Sequence, residues 1–230
     1  MKNCLLCQAS IREQIGLDDL FSLRAAKPTI ICQACASAFS RLSATPVCQL
    51  CGRKLTAAMT DPCYDCQRWE KQAAFSFSNR GLYDYNAAMK TYMSRYKFLG
   101  DYRLRWVFMT EMKVAVTRTK RLVVPIPVTE ATMAIRGFNQ VVGLIDNCRF
   151  VNALTPVAAT KESNQSAKSR ADRLLLDQPF KLVSGMEATV KDAKIVIVDD
   201  VYTTGTTIRH AARLLYQAGA TSVTGITLAR

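Results

Sequence analysis

The chain has 230 residues, 49% of them hydrophobic, and carries a formal net charge of +13. That is enough apolar material for one large or two smaller domains, so most of the chain is expected to fold. No apolar run reaches the length of a membrane-spanning helix and "MKNCLLCQAS" has no signal-peptide core, so a cytoplasmic protein without membrane insertion is expected; its excess of cations suits nucleic acid or a phosphate-rich ligand.

In chain order the cysteines come first. Eight of the nine lie before residue 67, as the CxxC pairs Cys4/Cys7, Cys32/Cys35, Cys48/Cys51 and Cys63/Cys66. Nothing points to secretion, so a zinc reading is preferred to a disulfide one. A CxxC turn presents two thiolates to one ion, and four close a tetrahedral site, so four pairs supply two structural zinc sites with no position left for water. Sequence order favours Cys4, Cys7, Cys32 and Cys35 in one site and Cys48, Cys51, Cys63 and Cys66 in the other. A crossed combination of Cys4/Cys7 with Cys48/Cys51 stays open. Cys148 reads as a small buried hydrophobe. Trp69 is expected to pack this module onto the second domain, the alternative being a base-stacking ring. Residues 1–72 hold nine Lys/Arg and six Asp/Glu, and residues 73–230 hold 22 and 12. With two zinc ions on eight thiolates the first part is close to neutral, so the basic character belongs to the second.

Residues 73–230 read as α/β. "AAFSFSN" is a predicted strand. "YNAAMKTYMSRYKFLG" and "DYRLRWVFMTEMKVAVTR" are predicted helices, the second with Asp101 as N-cap. "RLVVPIP" is a short buried strand stopped by its prolines, and "GFNQVVGLIDNC" a helix. Residues 159–178 read as a loop with a short helix. "KIVIVDD" is a continuous apolar strand of the kind found in parallel sheets covered on both faces. "TTIRHAARLLYQAGA" is a helix ended by Gly219, and "TSVTGITLAR" a last strand. The lone His210 reads as a helix-face residue, since catalysis needs an oriented partner.

The stretch "VIVDDVYTTGTT" carries chemistry. Asp199 and Asp200 end a buried strand, where open α/β sheets bind ligands. The following loop enters a helix whose free amides attract anions. Gly205 lets the backbone approach closely, and Thr203, Thr204, Thr206 and Thr207 offer hydroxyls. Carboxylates repel a phosphate, so they must serve another part of the ligand, and a vicinal diol fits. The pattern points to a ribose 5-phosphate. A P-loop lacks its GxxxxGK[ST], a DxDxT phosphatase needs acids two apart, and a receiver domain needs more chain than follows Asp200.

The same stretch resembles the phosphoribosyl pyrophosphate (PRPP) motif of type I phosphoribosyltransferases. With the CxxC pairs, "YKFLGDYRL", "VPIP", "RGFNQ" and "TLAR", nearly the whole chain is similar to the ComF family of ComFC-like competence proteins. The resemblance implies a zinc-ribbon module (1–72) before a phosphoribosyltransferase-like domain (73–230) with a mostly parallel sheet and flanking helices. It implies that Asp199 and Asp200 hold the ribose hydroxyls of PRPP with Mg²⁺ nearby, and that Thr203, Thr204, Gly205, Thr206 and Thr207 wrap the 5-phosphate. Arg136 would stand on the pyrophosphate side and Lys161–Arg173 would form a lid. Purine-salvage relatives carry an acidic general base at the position of Thr203, and its absence here counts against base transfer. The family handles incoming single-stranded DNA in natural transformation, alongside a ComFA-like helicase. Two functions are implied: a single-stranded DNA handling protein with a PRPP pocket, or an active transferase moving phosphoribose to an unknown acceptor.

Residues 90–121 hold nine Lys/Arg and two acids, interleaved with aromatic residues. Cations for a backbone and rings for bases make a single-strand groove, and Tyr96, Lys97, Arg103 and Arg105 are its candidate contacts. Trp106, Phe108 and Met112, at helical spacing, read equally as core.

Overall fold

The computed structural model describes residues 2–11, 29–72, 75–157 and 178–230. Among these, no helix is long and apolar enough to cross a membrane. The proposed lid, Lys161–Arg173, lies outside the described residues.

Four parallel strands form the central sheet: β3 (Ser78–Tyr83), β4 (Leu122–Pro125), β7 (Lys194–Val201) and β8 (Ser222–Ala229), in the order β3-β8-β7-β4. β7 pairs with β8 from Lys194↔Ser222 to Val201↔Ala229 and with β4 from Leu122↔Ile195 to Pro125↔Val198. Each β7 side chain from Ile195 to Asp200 is buried. A strand covered on both faces tolerates no polar residue until it ends, which is why its sequence is an unbroken apolar run.

Successive side chains alternate between the two faces. Val196 and Val198 of β7, with Ile226 and Leu228 of β8, enter one core with Met89, Tyr92, Met93 and Tyr96. These come from α3 (Ala87–Phe98), capped by the Asn86 side chain, which accepts from Met89 N–H at 3.0 Å. α4 (Met109–Thr117) and α6 (Gln140–Leu144) complete that layer. Ile195 and Ile197 face the other core, built with Ile208, Ala211, Ala212 and Leu215 of α8 (Thr206–Gln217). Cys48, Cys51, Cys63 and Cys66 belong to this same second core. β5 (Leu154–Pro156) and β6 (Phe180–Leu182) form a separate antiparallel pair.

The amino-terminal region holds the short antiparallel pair β1 (Lys2–Asn3) and β2 (Ser10–Ile11), α1 (Gln33–Ser37) and α2 (Tyr64–Gln72). It is docked closely on the rest. Leu50 C=O accepts from Asn79 N–H at 2.7 Å, covering the edge strand β3. Gly52 makes this approach possible: its φ is +73°, and a Cβ there would lie 2.9 Å from Gly81 N. Arg95 of α3 donates to Leu6 C=O at 2.7 Å and Leu5 C=O at 3.3 Å, inside the first CxxC turn.

Several expected elements are corrected. Within "AAFSFSN" the strand starts only at Ser78, where pairing with Thr224 of β8 begins; Phe77 is instead a core residue. "DYRLRWVFMTEMKVAVTR" is not one helix but a 3₁₀ segment, Tyr102–Val107, followed by α4. Asp101 does not cap with its side chain, because its carboxylate is taken by Arg103 at 2.9 and 3.2 Å. The helix expected over 137–148 shortens to Gln140–Leu144. Before it lies α5 (Glu130–Arg136), which its sequence pattern did not announce; Thr129 caps it by accepting from Thr132 N–H at 3.1 Å. α7 (Glu187–Val190) is a single turn.

Candidate functional site

Asp199 and Asp200 sit at the carboxyl end of β7, 9% and 4% exposed. As neighbours on one strand they project to opposite faces. Asp200 shares the face of Val198 and meets α3, whose Lys97 Nζ lies 2.8 Å from its Oδ1. Its Oδ2 is buried without a hydrogen-bond partner, an acceptor position suited to a ligand hydroxyl or a cation-bound water. Asp199 shares the face of Ile197, and its Oδ1 accepts from Asp200 N–H at 2.8 Å. Burial first, and then the Asp200 charge, push the Asp199 carboxyl up to about 8. Burial thus disfavours a charge on Asp199 while Lys97 pairs with Asp200, an arrangement that eases the repulsion of two adjacent carboxyls in low dielectric.

The loop from Tyr202 to Gly205 connects β7 to α8. Gly205 has φ +81°, and a Cβ there would lie 2.1 Å from the Tyr202 hydroxyl, so only glycine fits over that ring. No side chain caps α8 at Gly205. Thr204 and Thr206 hydroxyls lie 2.9 Å apart, while Thr203 and Thr207 are exposed. Thr206 N–H reaches Thr204 Oγ1 at 3.4 Å, and a helix start ringed by hydroxyls after a glycine turn offers the kinds of donor that an anion would use. Arg136 ends α5, its guanidinium donating to Gln140 Oε1. It lines, with Lys97, Phe98, Thr132 and Ile135, a cleft of ≈ 360 Å³. Lys97 thus joins the acid pair to the Arg136 cleft.

The candidate DNA residues are not brought together as one groove. Lys97 is engaged by Asp200. Tyr96 is fully buried, stacked on Phe138 at 5.2 Å with its hydroxyl donating to Gln140 C=O at 3.0 Å, so its ring is core and closed to a base. Phe108 and Met112 are core as well. Arg103 is exposed and paired with Asp101. Arg105 stacks over Tyr102 at 3.9 Å and Trp106 at 4.5 Å. The rings that do reach solvent are Phe98, at 77% exposure, and Trp106, at 45%.

The cysteines gather in chain order, Cys4, Cys7, Cys32 and Cys35 in one cluster and Cys48, Cys51, Cys63 and Cys66 in the other, all ligand atoms of each within 4.8 Å of one another. This settles the order against the crossed combination. Tetrahedral zinc at ~2.3 Å from each sulfur sets sulfurs about 3.8 Å apart. The observed Cys7–Cys32 and Cys51–Cys63 separations are 3.7 and 3.6 Å. Cys32 N–H donates to Cys4 Sγ at 3.2 Å and Cys63 N–H to Cys48 Sγ at 3.4 Å, contacts that suit sulfurs held on a metal. A hydrogen bond from Cys66, opposed by burial and aided by the Arg230 charge, draws the Cys51 thiol down to about 4. The donor sets fit zinc. Cys148 is a half-buried free thiol outside both clusters.

Four side chains at the loop escaped sequence reasoning in these roles. Lys97 was read as a DNA contact, and Arg230 only as the end of "TLAR". Trp69 was expected to pack its module onto the second domain; its indole N–H donates to Thr204 C=O of the loop at 3.0 Å. Arg209 lies 5.2 Å from the Trp69 ring and donates to the Tyr202 hydroxyl at 3.2 Å. No local pattern signals such contacts. His210, expected on a helix face, is buried beside Arg213, with burial and that neighbouring charge lowering its pKa.

A family model described as "Phosphoribosyl transferase domain" matches residues 134–230. The chain is 35% identical over 228 residues to "Competence protein ComFC" of Streptococcus pneumoniae (strain ATCC BAA-255 / R6), covering 99% of each. It is 32% identical over 235 residues to "Competence protein ComFC" of Bacillus subtilis (strain 168), covering 99% of this chain and 94% of that one. Among solved structures, "Structure of the allosteric regulatory enzyme of purine biosynthesis" aligns with a TM-score of 0.35 at 20% identity, over 54% of this chain and 26% of that one. A hypoxanthine phosphoribosyltransferase from Staphylococcus aureus aligns with a TM-score of 0.30 at 15% identity, over 54% and 61%.

Two outcomes are expected. Freshly purified, reduced protein should carry two zinc ions per chain by elemental analysis, and chelation should unfold residues 1–70; one ion or none contradicts the two-site arrangement. The second concerns pH. The protonated Asp199 favours the native state, a contribution complete below about pH 4 and lost as the pH rises through about 8. Urea unfolding of the parent should therefore weaken relative to Asp199→Asn across that window, by at most ~1.4 kcal/mol per pH unit. Parallel stability curves for the two proteins would show that Asp199 is ionised at neutral pH.

Proposed function

These relationships make the chain a member of the ComFC family of competence proteins, with a phosphoribosyltransferase-like domain, and from that premise we propose that it handles incoming single-stranded DNA in the cytoplasm during natural transformation through a domain that binds PRPP or a related phosphoribosyl ligand. The observation that carries the ligand is the unpartnered, buried Oδ2 of Asp200 at the carboxyl end of β7, the strand that leads into the Tyr202–Gly205 turn. Asp200 accepts from a ribose hydroxyl. The Thr203–Thr207 turn takes the 5-phosphate through backbone N–H groups and hydroxyls. Lys97 and Arg136 face the pyrophosphate. Asp199, neutral and inward, orients Asp200 through the backbone rather than touching the ribose itself. Asp200 is the carboxylate that would hold a Mg²⁺ ion arriving with PRPP, an ion that would supply charge neutralisation on the pyrophosphate.

A strand of DNA would run along the turn after α3, where Arg103 and the Arg105–Trp106 stack are within reach of solvent beside Phe98 and Leu99. Cations track phosphates there while exposed rings take bases. A DNA-translocating helicase of the ComFA kind is the partner this role implies. The second reading, transfer of phosphoribose from PRPP to an acceptor, is favoured by the acid pair and the cleft beside it. Against it stands Thr203, which offers no base where purine-salvage enzymes carry an acid. In that case catalysis would rest on stabilising the leaving pyrophosphate and on positioning.

Calorimetry with PRPP and Mg²⁺ should show binding, weakened roughly ten- to hundred-fold by Asp200→Asn, the loss of one charge-assisted hydrogen bond at about 1.5–3 kcal/mol. A parent protein that binds no PRPP sinks the pocket, and pyrophosphate released with an added acceptor decides for the transferase. For DNA, Arg103→Ala with Arg105→Ala should weaken single-strand binding and reduce the salt slope by about 1.4, at ~0.7 per phosphate contact. An unchanged slope in the folded double variant moves the DNA elsewhere on the molecule.

A further inference from the structure

Three consecutive carbonyls of the β7–α8 turn point into the second cysteine cluster's side of the molecule. Arg230 Nη1 donates to Tyr202 C=O at 3.1 Å and to Thr203 C=O at 2.7 Å. The indole of Trp69, three residues beyond Cys66, donates to Thr204 C=O at 3.0 Å. The same Arg230 guanidinium donates through Nη2 to Cys51 Sγ at 3.3 Å. It also lies 4.6 Å from the Tyr202 ring centre. Arg230 is itself held by its backbone, N–H to Tyr83 C=O at 2.9 Å and C=O from Tyr85 N–H at 3.1 Å. One planar fork therefore spans a metal-ligand sulfur and the turn.

In a trans peptide the C=O of one residue and the N–H of the next point in opposite directions. Holding the carbonyls of Tyr202, Thr203 and Thr204 toward the cysteine cluster turns the N–H groups of Thr203, Thr204 and Gly205 the other way. Those amides, with the start of α8, form the concave run of donors that binds phosphate. A closed zinc tetrathiolate carries two net negative charges, which fix a neighbouring guanidinium in place. Arginine suits this position because its donors diverge in one rigid plane, whereas a lysine ammonium could satisfy only part of the set.

We propose that the Cys48–Cys51–Cys63–Cys66 metal site preorganises the phosphate cradle, with Arg230 and Trp69 as positioning residues, so that metal occupancy of that cluster and phosphoribosyl affinity are coupled. The proposal rests on reading the Thr203–Thr207 turn as the cradle. Coupling between two sites is reciprocal, so a ligand in the cradle also changes the environment of the metal. Among the described residues the first cluster makes no such connection to the turn; Arg95 instead donates to the carbonyls of Leu5 and Leu6 beside it.

The test uses the full chain as zinc protein and, in parallel, loaded with cadmium-113. Ribose 5-phosphate is the probe. In the parent, ribose 5-phosphate should shift one of the two cadmium resonances and leave the other in place. Arg230→Gln should keep both metals and the thermal transition of the parent. It should speed amide exchange across residues 203–207, weaken ribose 5-phosphate binding by about tenfold and abolish the cadmium shift. Arg230→Lys should restore little, and Trp69→Phe, which keeps the ring and loses the donor, should give a smaller change in the same direction. Parent-like exchange in both Arg230→Gln and Trp69→Phe overturns the coupling, whatever the ligand does. Faster exchange in the variants of a parent that binds no ribose 5-phosphate upholds Arg230 and Trp69 as positioning residues of the turn and sinks the phosphoribosyl reading, and with it the coupling to phosphoribosyl affinity. If Arg230→Gln loses metal or unfolds, Trp69→Phe alone decides by the same exchange measurement.

Discussion

Two adjacent carboxyls at the end of a fully covered strand constrain much of this molecule. β7 can be buried on both faces only if the charge at its end is compensated, and the compensation comes from two sources. Burial and the neighbouring Asp200 charge raise the Asp199 pKa to about 8, which favours its neutral form. Asp200 is paired with Lys97 at 2.8 Å, and a buried pair of this kind holds only when its geometry is fixed from both sides. The end of α3 must therefore stand over the carboxyl end of β7. That requirement explains the weight of aromatic and methionine packing under α3, where Met89, Tyr92, Met93 and Tyr96 are all buried.

The cysteine-rich region is correspondingly less separate than its composition suggests. Each cysteine cluster is tied to the α/β part through an arginine, Arg95 reaching the first CxxC turn and Arg230 reaching Cys51. The second cluster shares a hydrophobic core with Tyr202 and Ile208. Leu50 and Gly52 cover the free edge of β3, which would otherwise present unpaired backbone groups. A small module with little apolar material of its own gains stability from metal and from such docking together.

The aromatic residues around residue 100 show how one composition divides into two roles. Tyr92, Tyr96 and Phe108 interlock in the core, with ring centres 4.9 Å apart for Tyr92 and Phe108 and 5.8 Å for Tyr92 and Tyr96. Phe98 and Trp106 remain outside, each near an arginine, Arg136 over Phe98 at 5.9 Å and Arg105 over Trp106 at 4.5 Å. The sequence reading placed Tyr96 with the cations because "YKFLGDYR" straddles a turn, yet Tyr96 and its neighbour Lys97 lie on the helix before it. On a helix, adjacent residues lie about 100° apart, so one enters the core while the next reaches the strand end.

The sequence by itself determined what depends on local pattern. The CxxC spacing located the two cysteine clusters, the unbroken run from Ile195 to Val198 located the central strand, and Gly205 among threonines located the turn. Each signal is contained within a few residues, because a turn, a strand period or a ligand bite is a short-range property. The tertiary structure alone decided the partnerships: Lys97 with Asp200, 103 residues apart; Trp69 with Thr204, 135 apart; and Arg230 with Cys51, 179 apart. A charged side chain carries no mark of its eventual counter-charge. Which pairs meet is set by the order of strands in the sheet and by the faces on which neighbouring residues alternate, and both exist only once the chain has folded.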